Sequence, residues 1–528
     1  MVDRHVTRTA DPAGPARPSD GGREPAVAEA AQQMTTGEDA DGKDRAARDA
    51  RRIGRKLLHR RPDYAERVLR KVLESHPDWH AVRAELILAR RYQADWSDYD
   101  AEAAWFCRAV REGFKIAPLA LTWLSSVGED LLLQAARRDA PPPAAERPVH
   151  RLAALRDAKK IRLGHLSAEY GRHPVGFLIR ELLERIDRSA FEVIAYDIGK
   201  NDGTKQREDY LAACDGVVDL SALSDRDAAD RIAADAVGIL IDLNGHTGGA
   251  RPGILARRPA PVQVSYLAYP GTLGAPYMDY IVGDAVVLPM ERQACYDERI
   301  VQVPYCYQPN DSRRHQHGAA PERAALGLPE GFVFCCFNTV QKIGPKMFDA
   351  WMRLLRAVPD SVLWLLARGR AVDNLRQAAV ERGVAAERIV FAPWLAMPEH
   401  LARLPCADLF LDTLPYNAHT LAADSLWEGL PVLTCLGETF AGRVGASLLT
   451  AAGLSEFIAH SLDEYEAMAL DLVRHPERLA AARRHLQSRT APLFDMTRQA
   501  RDVGTAYRMM WQRWCDGLPP APFAVPAS

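Results

Sequence analysis

Four polar turns in this sequence combine residue types that handle anionic ligands and protons. The stretch "DTLPYNAHTLAADSLWEGLPVLT", Asp412 to Thr434, follows the apolar run "ADLFLD" and brings Asn417, His419 and Thr420 to the start of a helix-like segment. A helix beginning near His419 would offer free N–H groups and a positive dipole end, which together bind anions. Thr420 and Asp424 are four apart and share a helix face, so the carboxylate could hold a ribose hydroxyl while the turn holds phosphate. The equally open alternative makes Thr420 a cap and Asp424 an acid that favours the dipole, with Trp427 continuing the face as core.

The turn "FNTVQKIGPKMFDAW" presents Asn338, Gln341 and Lys342, and a lysine there could neutralise a phosphate. In "AEYGRHPVGFLIRELLERI", Pro174 suits a first helical position and leaves His173 at the helix start, as a cap, a surface hydrogen-bonder or a proton-handling group. In "YPGTLGAPYMDY", Gly271 and Gly274 allow either a close backbone approach to a ligand or a tight turn. No Walker or G-x-G-x-x-G loop accompanies these turns, which disfavours a P-loop NTPase or a dinucleotide oxidoreductase. The acidic pairs Asp98–Asp100 and Asp225–Asp227 do not end convincing central strands, and no metal site is expected.

Elements that deliver such turns are visible after Lys160. Short β-rich apolar runs, from "IRLGHLS" to "YIVGDAVVL", alternate with helix-like segments; the polar break "QPNDSRRHQHGAAPERAALGLPEG" follows, and the alternation resumes from "FVFCCFN" to "PVLTCL". Continuous apolar strands separated by helices indicate parallel sheets covered on both faces, whose ligands bind at the strands' carboxyl ends. The expectation is an α/β chain with two Rossmann-like lobes facing across a cleft, over residues 158–315 and 325–495, closed by an amphipathic helix at 496–518. Upstream, residues 1–50 are expected to be a disordered tail, since they are poor in aromatics and rich in Ala, Gly, Pro and Asp. A helical segment over 51–137 carries Pro-Asp-aromatic turns, "RPDY" and "HPDW", like those of tetratricopeptide repeats, and is expected to pack on the next domain; a proline-rich linker covers 138–157. The basic stretch Arg45–Arg61 reads as a solvated helix face in preference to an RNA or lipid patch.

The 528 residues carry 67 basic and 69 acidic side chains, a balance that favours neither a nucleic-acid nor a membrane partner. Nine cysteines with no C-x-x-C pair suggest a reduced, cytoplasmic chain. No signal peptide and no membrane-spanning run is expected.

These motifs, in order, resemble the catalytic region of the O-linked N-acetylglucosamine transferase and SPINDLY family in its bacterial form. The resemblance is carried by "GHLSAEYGRHPVGF", "LIDLNGHTGGARPGILARRPAPVQVSYLAYPGTLGAPYMDYIVGD", "FNTVQKIGP", "EHLARL", "DLFLDTLPYNAHTLAADSLWEGLPVLT" and "GETFAGRVGASLL", and runs from about Trp96 to Trp511. It implies a GT-B fold and an inverting transfer of N-acetylglucosamine from UDP to Ser or Thr hydroxyls of protein acceptors, with no metal and no cofactor beyond the nucleotide-sugar substrate. It makes His173 the cleft histidine and Lys342 the lysine that stabilises the departing diphosphate. It places His400 and Arg403 near the nucleotide, His419, Thr420 and Asp424 on phosphate and ribose, and Pro270 on the donor-sugar wall. The chain departs from relatives at Thr339, Met397 and Leu421, where they carry a glutamine, a lysine and a hydroxyl. Transfer of fucose from GDP, N-glucosylation, and a non-catalytic scaffold that keeps the fold are the competing readings.

Overall fold

The structure, a computed structural model, describes residues 54, 57–58, 60–148, 155, 158–171 and 173–527. The expected disordered tail, most of the basic stretch and part of the expected linker lie outside the described residues. The chain divides after Ala89 into two compact units. In the first, the helix Pro62–Ser75 opens with proline at its start and buries Ala65, Val68, Leu69 and Val72 along one face. In the "HPDW" turn that follows, His76 stacks on Trp79 with centroids 4.0 Å apart.

The second unit holds two parallel sheets. The first has strands β1 (Ile161–Ser167), β2 (Phe191–Asp197), β3 (Gly216–Asp219), β4 (Ile239–Asp242), β5 (Val262–Ser265), β6 (Tyr280–Gly283) and β7 (Arg299–Gln302). The second has β8 (Val333–Cys336), β9 (Val362–Leu365), β10 (Ile389–Phe391), β11 (Leu409–Leu411), β12 (Val432–Cys435) and β13 (Ile458–Ala459), and the last strand, β14 (Phe523–Ala524), returns to the first sheet. The strand orders are β3-β2-β1-β4-β5-β6-β7-β14 and β10-β9-β8-β11-β12-β13, with parallel pairing throughout. Each order reverses once, between β1 and β4 and between β8 and β11. Loops leaving neighbouring strands part at those points and open a crevice, where ligands of such sheets bind. The strands are apolar on both faces because helices cover both: Leu163, Ile239, Val262, Val333, Leu363 and Leu409 are all buried.

The helical segment expected over 51–137 does not form one body. Its later helices, Tyr99–Arg111, Pro118–Leu121 and Glu129–Asp139, belong to the unit that holds the sheets. Buried charge explains the attachment: Glu129 accepts from the Tyr296 hydroxyl at 2.6 Å and pairs with Arg443 of the second lobe. Arg443 also donates from Nε to the Val287 carbonyl at 3.1 Å, and Ser447 donates to Asp284 at 2.6 Å, so polar contacts tie the lobes together. The closing helix spans Met496–Cys515 rather than 496–518 and packs on the helix Pro174–Arg185, with Tyr507 edge-on to Phe191 at 6.4 Å. The chain therefore finishes on the lobe where its sheets began, and β14 adds an edge strand that the sequence reading did not anticipate.

Candidate active site

The turn after β11 is built around a carboxylate. Asp412 Oδ1 accepts the N–H groups of Thr413 at 2.7 Å and Ala418 at 2.6 Å, and Oδ2 accepts the Thr434 hydroxyl at 2.7 Å. Asn417 points inward. Its amide donates to the Thr413 carbonyl at 2.7 Å and its Oδ1 accepts the Gly445 N–H at 3.2 Å, while its backbone N–H donates to the Ala441 carbonyl at 2.9 Å. Asn417 is thus a bracket that ties the turn to the helix Phe440–Ala452, not an open ligand group. Asn338, also offered to the crevice by sequence, turns inward too and donates to the Thr413 hydroxyl at 2.7 Å.

The bracket works only because the facing helix is small where it meets the turn. A Cβ at Gly445 would collide with the Thr434 hydroxyl and lie 2.5 Å from Asp412 Oδ2, and one at Gly442 would lie 2.6 Å from the Pro415 carbonyl oxygen. Gly445→Val is expected to lower unfolding free energy by about 1–3 kcal/mol through overpacking, to be read from the midpoint of chemical denaturation; an unchanged midpoint would show that the helix can move away.

This scaffold leaves the helix Thr420–Trp427 starting at the crevice without a side-chain cap, so its first N–H groups have no partner within the helix. Lys342 reaches the same turn from the loop after β8. Its Nζ donates to the Asn417 carbonyl at 2.9 Å and stands 3.9 Å from the centre of the Tyr416 ring. Burial pushes the Lys342 ammonium down to about 8 against the opposing pull of Asp412. Burial likewise raises Asp412 to about 6, although the groups donating to it favour its charged form. His419 stacks on Tyr416 at 4.7 Å, and its Nε2–H donates to the Ala441 carbonyl at 3.2 Å. Burial first, and the Lys342 charge second, hold His419 well below the ordinary histidine range, so the ring is neutral. A half-buried cation bonded to the turn, the threonine Thr420 and uncapped N–H groups lie at one helix start, a constellation suited to an oxyanion.

Across the crevice, His173 is the residue before the helix Pro174–Arg185, as the proline predicted. Its Nδ1 lies 2.7 Å from Glu169 Oε2 and 3.4 Å from the Val175 N–H. The two contacts need opposite tautomers. With the proton on Nδ1 facing Glu169, Nε2 carries the lone pair that can accept a proton. Glu169 escaped the sequence reading, though its position four residues before His173 was the available signal.

The remaining expected site residues divide. His400 and Arg403 share the helix Met397–Arg403. Arg403 is buried, lies over the Phe337 ring at 5.0 Å, and donates to the Pro393 carbonyl and to His400 Nδ1, both at 2.6 Å. It orients His400, which burial and then Arg403 and Arg314 push down to about 4. Pro270 is buried in the loop between β5 and β6. That loop is fixed by the buried Glu298, which accepts the Thr272 hydroxyl and the Leu273 N–H, both at 2.6 Å. Gly274 has φ +61°, and a Cβ there would strike the backbone of the helix Glu129–Asp139, so close packing within the protein accounts for this glycine. Asp424 is buried and already paired: Arg314, from the connector between the lobes, donates to its Oδ2 at 3.0 Å. The sequence reading treated that connector as a polar break and missed Arg314. The acids Asp225 and Asp227 lie in the first turn of the helix Asp225–Ala234, where Ser224 caps Asp227 at 3.1 Å.

Comparison with known proteins follows the same elements. The sequence profile of glycosyl transferase family 41 matches residues 147–319 and 312–503. An Arabidopsis thaliana protein named probable UDP-N-acetylglucosamine–peptide N-acetylglucosaminyltransferase SEC is 38% identical over 377 residues, covering 70% of this chain and 39% of its own length. The Caenorhabditis elegans UDP-N-acetylglucosamine–peptide N-acetylglucosaminyltransferase is 30% identical over 482 residues, covering 69% of this chain and 42% of its own. This chain therefore spans about two-fifths of the length of those curated relatives. A lysine-to-methionine variant of the Thermobaculum terrenum O-GlcNAc transferase superposes with a TM-score of 0.77 at 28% identity, covering 95% of this chain and 100% of the other. The two sheets are the lobes of a GT-B fold, and the profile runs through both: the chain belongs to glycosyl transferase family 41.

Proposed function

We propose that this protein transfers N-acetylglucosamine from UDP-N-acetylglucosamine to Ser or Thr hydroxyls of a protein acceptor, with inversion at the anomeric carbon and without a metal. The observation that carries the reading is Lys342, a half-buried ammonium held 2.9 Å from the Asn417 carbonyl at an uncapped helix start. The curated relatives' names, which specify a UDP-N-acetylglucosamine donor and a peptide acceptor, supply the substrate classes.

In such a transfer the acceptor oxygen bonds to the anomeric carbon as the bond to the diphosphate oxygen breaks. Negative charge then gathers on the leaving diphosphate. Lys342, the Thr420 hydroxyl and the first-turn N–H groups would receive it, and donors fixed in advance stabilise developing charge most where water is excluded. The acceptor proton goes to a base on the other side of the crevice. His173 offers Nε2 for it in the tautomer whose Nδ1–H faces Glu169, 2.7 Å away. His400 and Asp424 fit the nucleoside end of the donor, and Pro270 its sugar. A cytoplasmic site of action is supported by nine cysteines that are all free thiols. No helix among the described residues is long and apolar enough to cross a membrane.

The test is donor competition by calorimetry with UDP-N-acetylglucosamine, UDP-glucose and GDP-fucose, followed by mass spectrometry of proteins from cells with and without this chain. The expected result is preferential binding of the first donor and a hexosamine increment on Ser or Thr. Binding of GDP-fucose alone, with a deoxyhexose increment, would replace the donor assignment. A protein that binds donors and releases no UDP would be a scaffold.

A further inference from the structure

The connector between the lobes, Asn310–His317, grips both of them. Toward the first lobe, the Ser312 N–H donates to Glu181 at 2.7 Å and Arg313 pairs with Glu184 at 2.8 Å, both on the helix Pro174–Arg185. Toward the second, His315 and His317 meet the two oxygens of Glu428 at 2.6 and 2.8 Å, and His315 stacks on Trp427 at 4.8 Å. Arg314 stands between these grips and touches both sides. Its guanidinium lies 5.1 Å from the centre of the Phe177 ring, one turn into the helix that His173 begins, and it donates to Asp424 Oδ2 at 3.0 Å. A second nitrogen donates to Asn310 Oδ1 at 3.0 Å, and Met397 Sδ lies 3.7 Å away.

Three polar atoms of this arrangement are left over, Trp427 Nε1 and two that belong to one ion pair. Asp424 Oδ1 and Arg314 Nε are buried and have no hydrogen-bond partner, in side chains only 1% and 8% exposed. An unpartnered acceptor and an unpartnered donor within one buried ion pair are costly unless a ligand completes both. A vicinal diol has the matching chemistry: one hydroxyl donates to a carboxylate oxygen while its neighbour accepts from a guanidinium N–H.

We propose that Arg314 fixes one oxygen of Asp424, so that the other faces the ribose diol of the donor nucleotide, and offers its own Nε–H to the second hydroxyl, making the site selective for ribo- over 2′-deoxyribonucleotides. The assignment rests on the sugar-nucleotide reading given above and adds the residue that sets recognition of the ribose.

Calorimetry on the full chain with UDP, 2′-deoxy-UDP, GDP and 2′-deoxy-GDP tests it. The wild type is expected to prefer the ribonucleotide of the bound base by about tenfold or more, the loss that follows when a buried polar group goes unpartnered. Arg314→Met is expected to shrink that ratio to about threefold or less, and Arg314→Lys to keep part of it, since an ammonium can still hold one carboxylate oxygen but does not reproduce the guanidinium's second contact. Should Arg314→Met not fold, Arg314→Gln carries the same comparison. A wild-type ratio near one, or a variant that loses ribo- and deoxyribonucleotide affinity equally, overturns the proposal. Preference for guanosine over uridine would change the donor reading and leave the ribose test intact in the guanosine arm, whereas binding of none of the four overturns both.

Discussion

Lys342→Ala is expected to slow release of UDP from UDP-N-acetylglucosamine by about 10²–10³-fold in kcat, the cost of removing one fixed donor from a site where charge develops. The location of the ammonium makes the effect fall on kcat. Its partners in the free protein are a carbonyl and an aromatic face, which satisfy it only in part. Asp412, the nearest carboxylate that raises its affinity for a proton, is already committed to Thr413, Ala418 and Thr434. The ammonium therefore has most to gain when the diphosphate carries its full charge, which is at bond breaking. Steady-state kinetics with His419→Ala as a second variant checks the assignment: removing a neutral, carbonyl-bound ring should cost less than removing the cation. Equal UDP release by wild type and both variants would remove the catalytic role.

The same lysine predicts a pH dependence. Its charged form is the one that binds an anion, and burial brings it down to about 8 in the free protein. Affinity for UDP should be level from neutral pH up to that value and fall as pH rises through it, because the ammonium loses its proton there. The diphosphate is already fully ionised in this range, and the uracil N3–H, lost only further toward alkali, titrates alike with wild type and Lys342→Ala, so a decline centred near 8 that the variant lacks belongs to the protein. In Lys342→Ala the alkaline decline should disappear while weak binding persists. A wild type whose affinity is flat to pH 10 would mean that the lysine stays fully charged or stays out of contact.

Local signals were legible and tertiary partners were not. The run "IRLGHLS" coincides with β1, the proline after His173 does begin a helix, and the helix at Thr420 starts where its polar turn suggested. Each depends on a few consecutive residues whose periodicity or backbone restriction acts in place. Which way a polar side chain of such a turn faces depends instead on partners far along the chain. Asn417 turns inward because Gly445, 28 residues away, supplies an N–H at its Oδ1. Arg403 turns inward because Phe337 and the Pro393 carbonyl receive it. Asp424 meets Arg314 only because the connector folds back across the second lobe. A polar residue near a strand end has the composition of a ligand contact in either orientation, and nothing in its neighbours' spacing distinguishes the two.

Asp412 is the strongest instance, since no sequence reading placed it in the site and the structure makes it the centre. Asp412→Ala would strand the N–H groups of Thr413 and Ala418 and the Thr434 hydroxyl in the interior, and truncating one side of a buried, hydrogen-bonded charge costs about 3–5 kcal/mol. That variant is expected to show a large drop in unfolding free energy by denaturant titration and to lose the turn. Asp412→Asn separates architecture from electrostatics. An amide of the same shape can still accept the two backbone N–H groups through its oxygen, so the turn should survive. What disappears is the negative charge that favours the protonated Lys342. Removing it lowers the lysine further, so the alkaline fall in UDP affinity should begin below pH 8 and the affinity at neutral pH should drop with it. The sign is the discriminating point: a role confined to holding the turn would weaken binding equally at every pH, whereas the charge role moves the limb toward acid while the melting profile stays near that of the wild type.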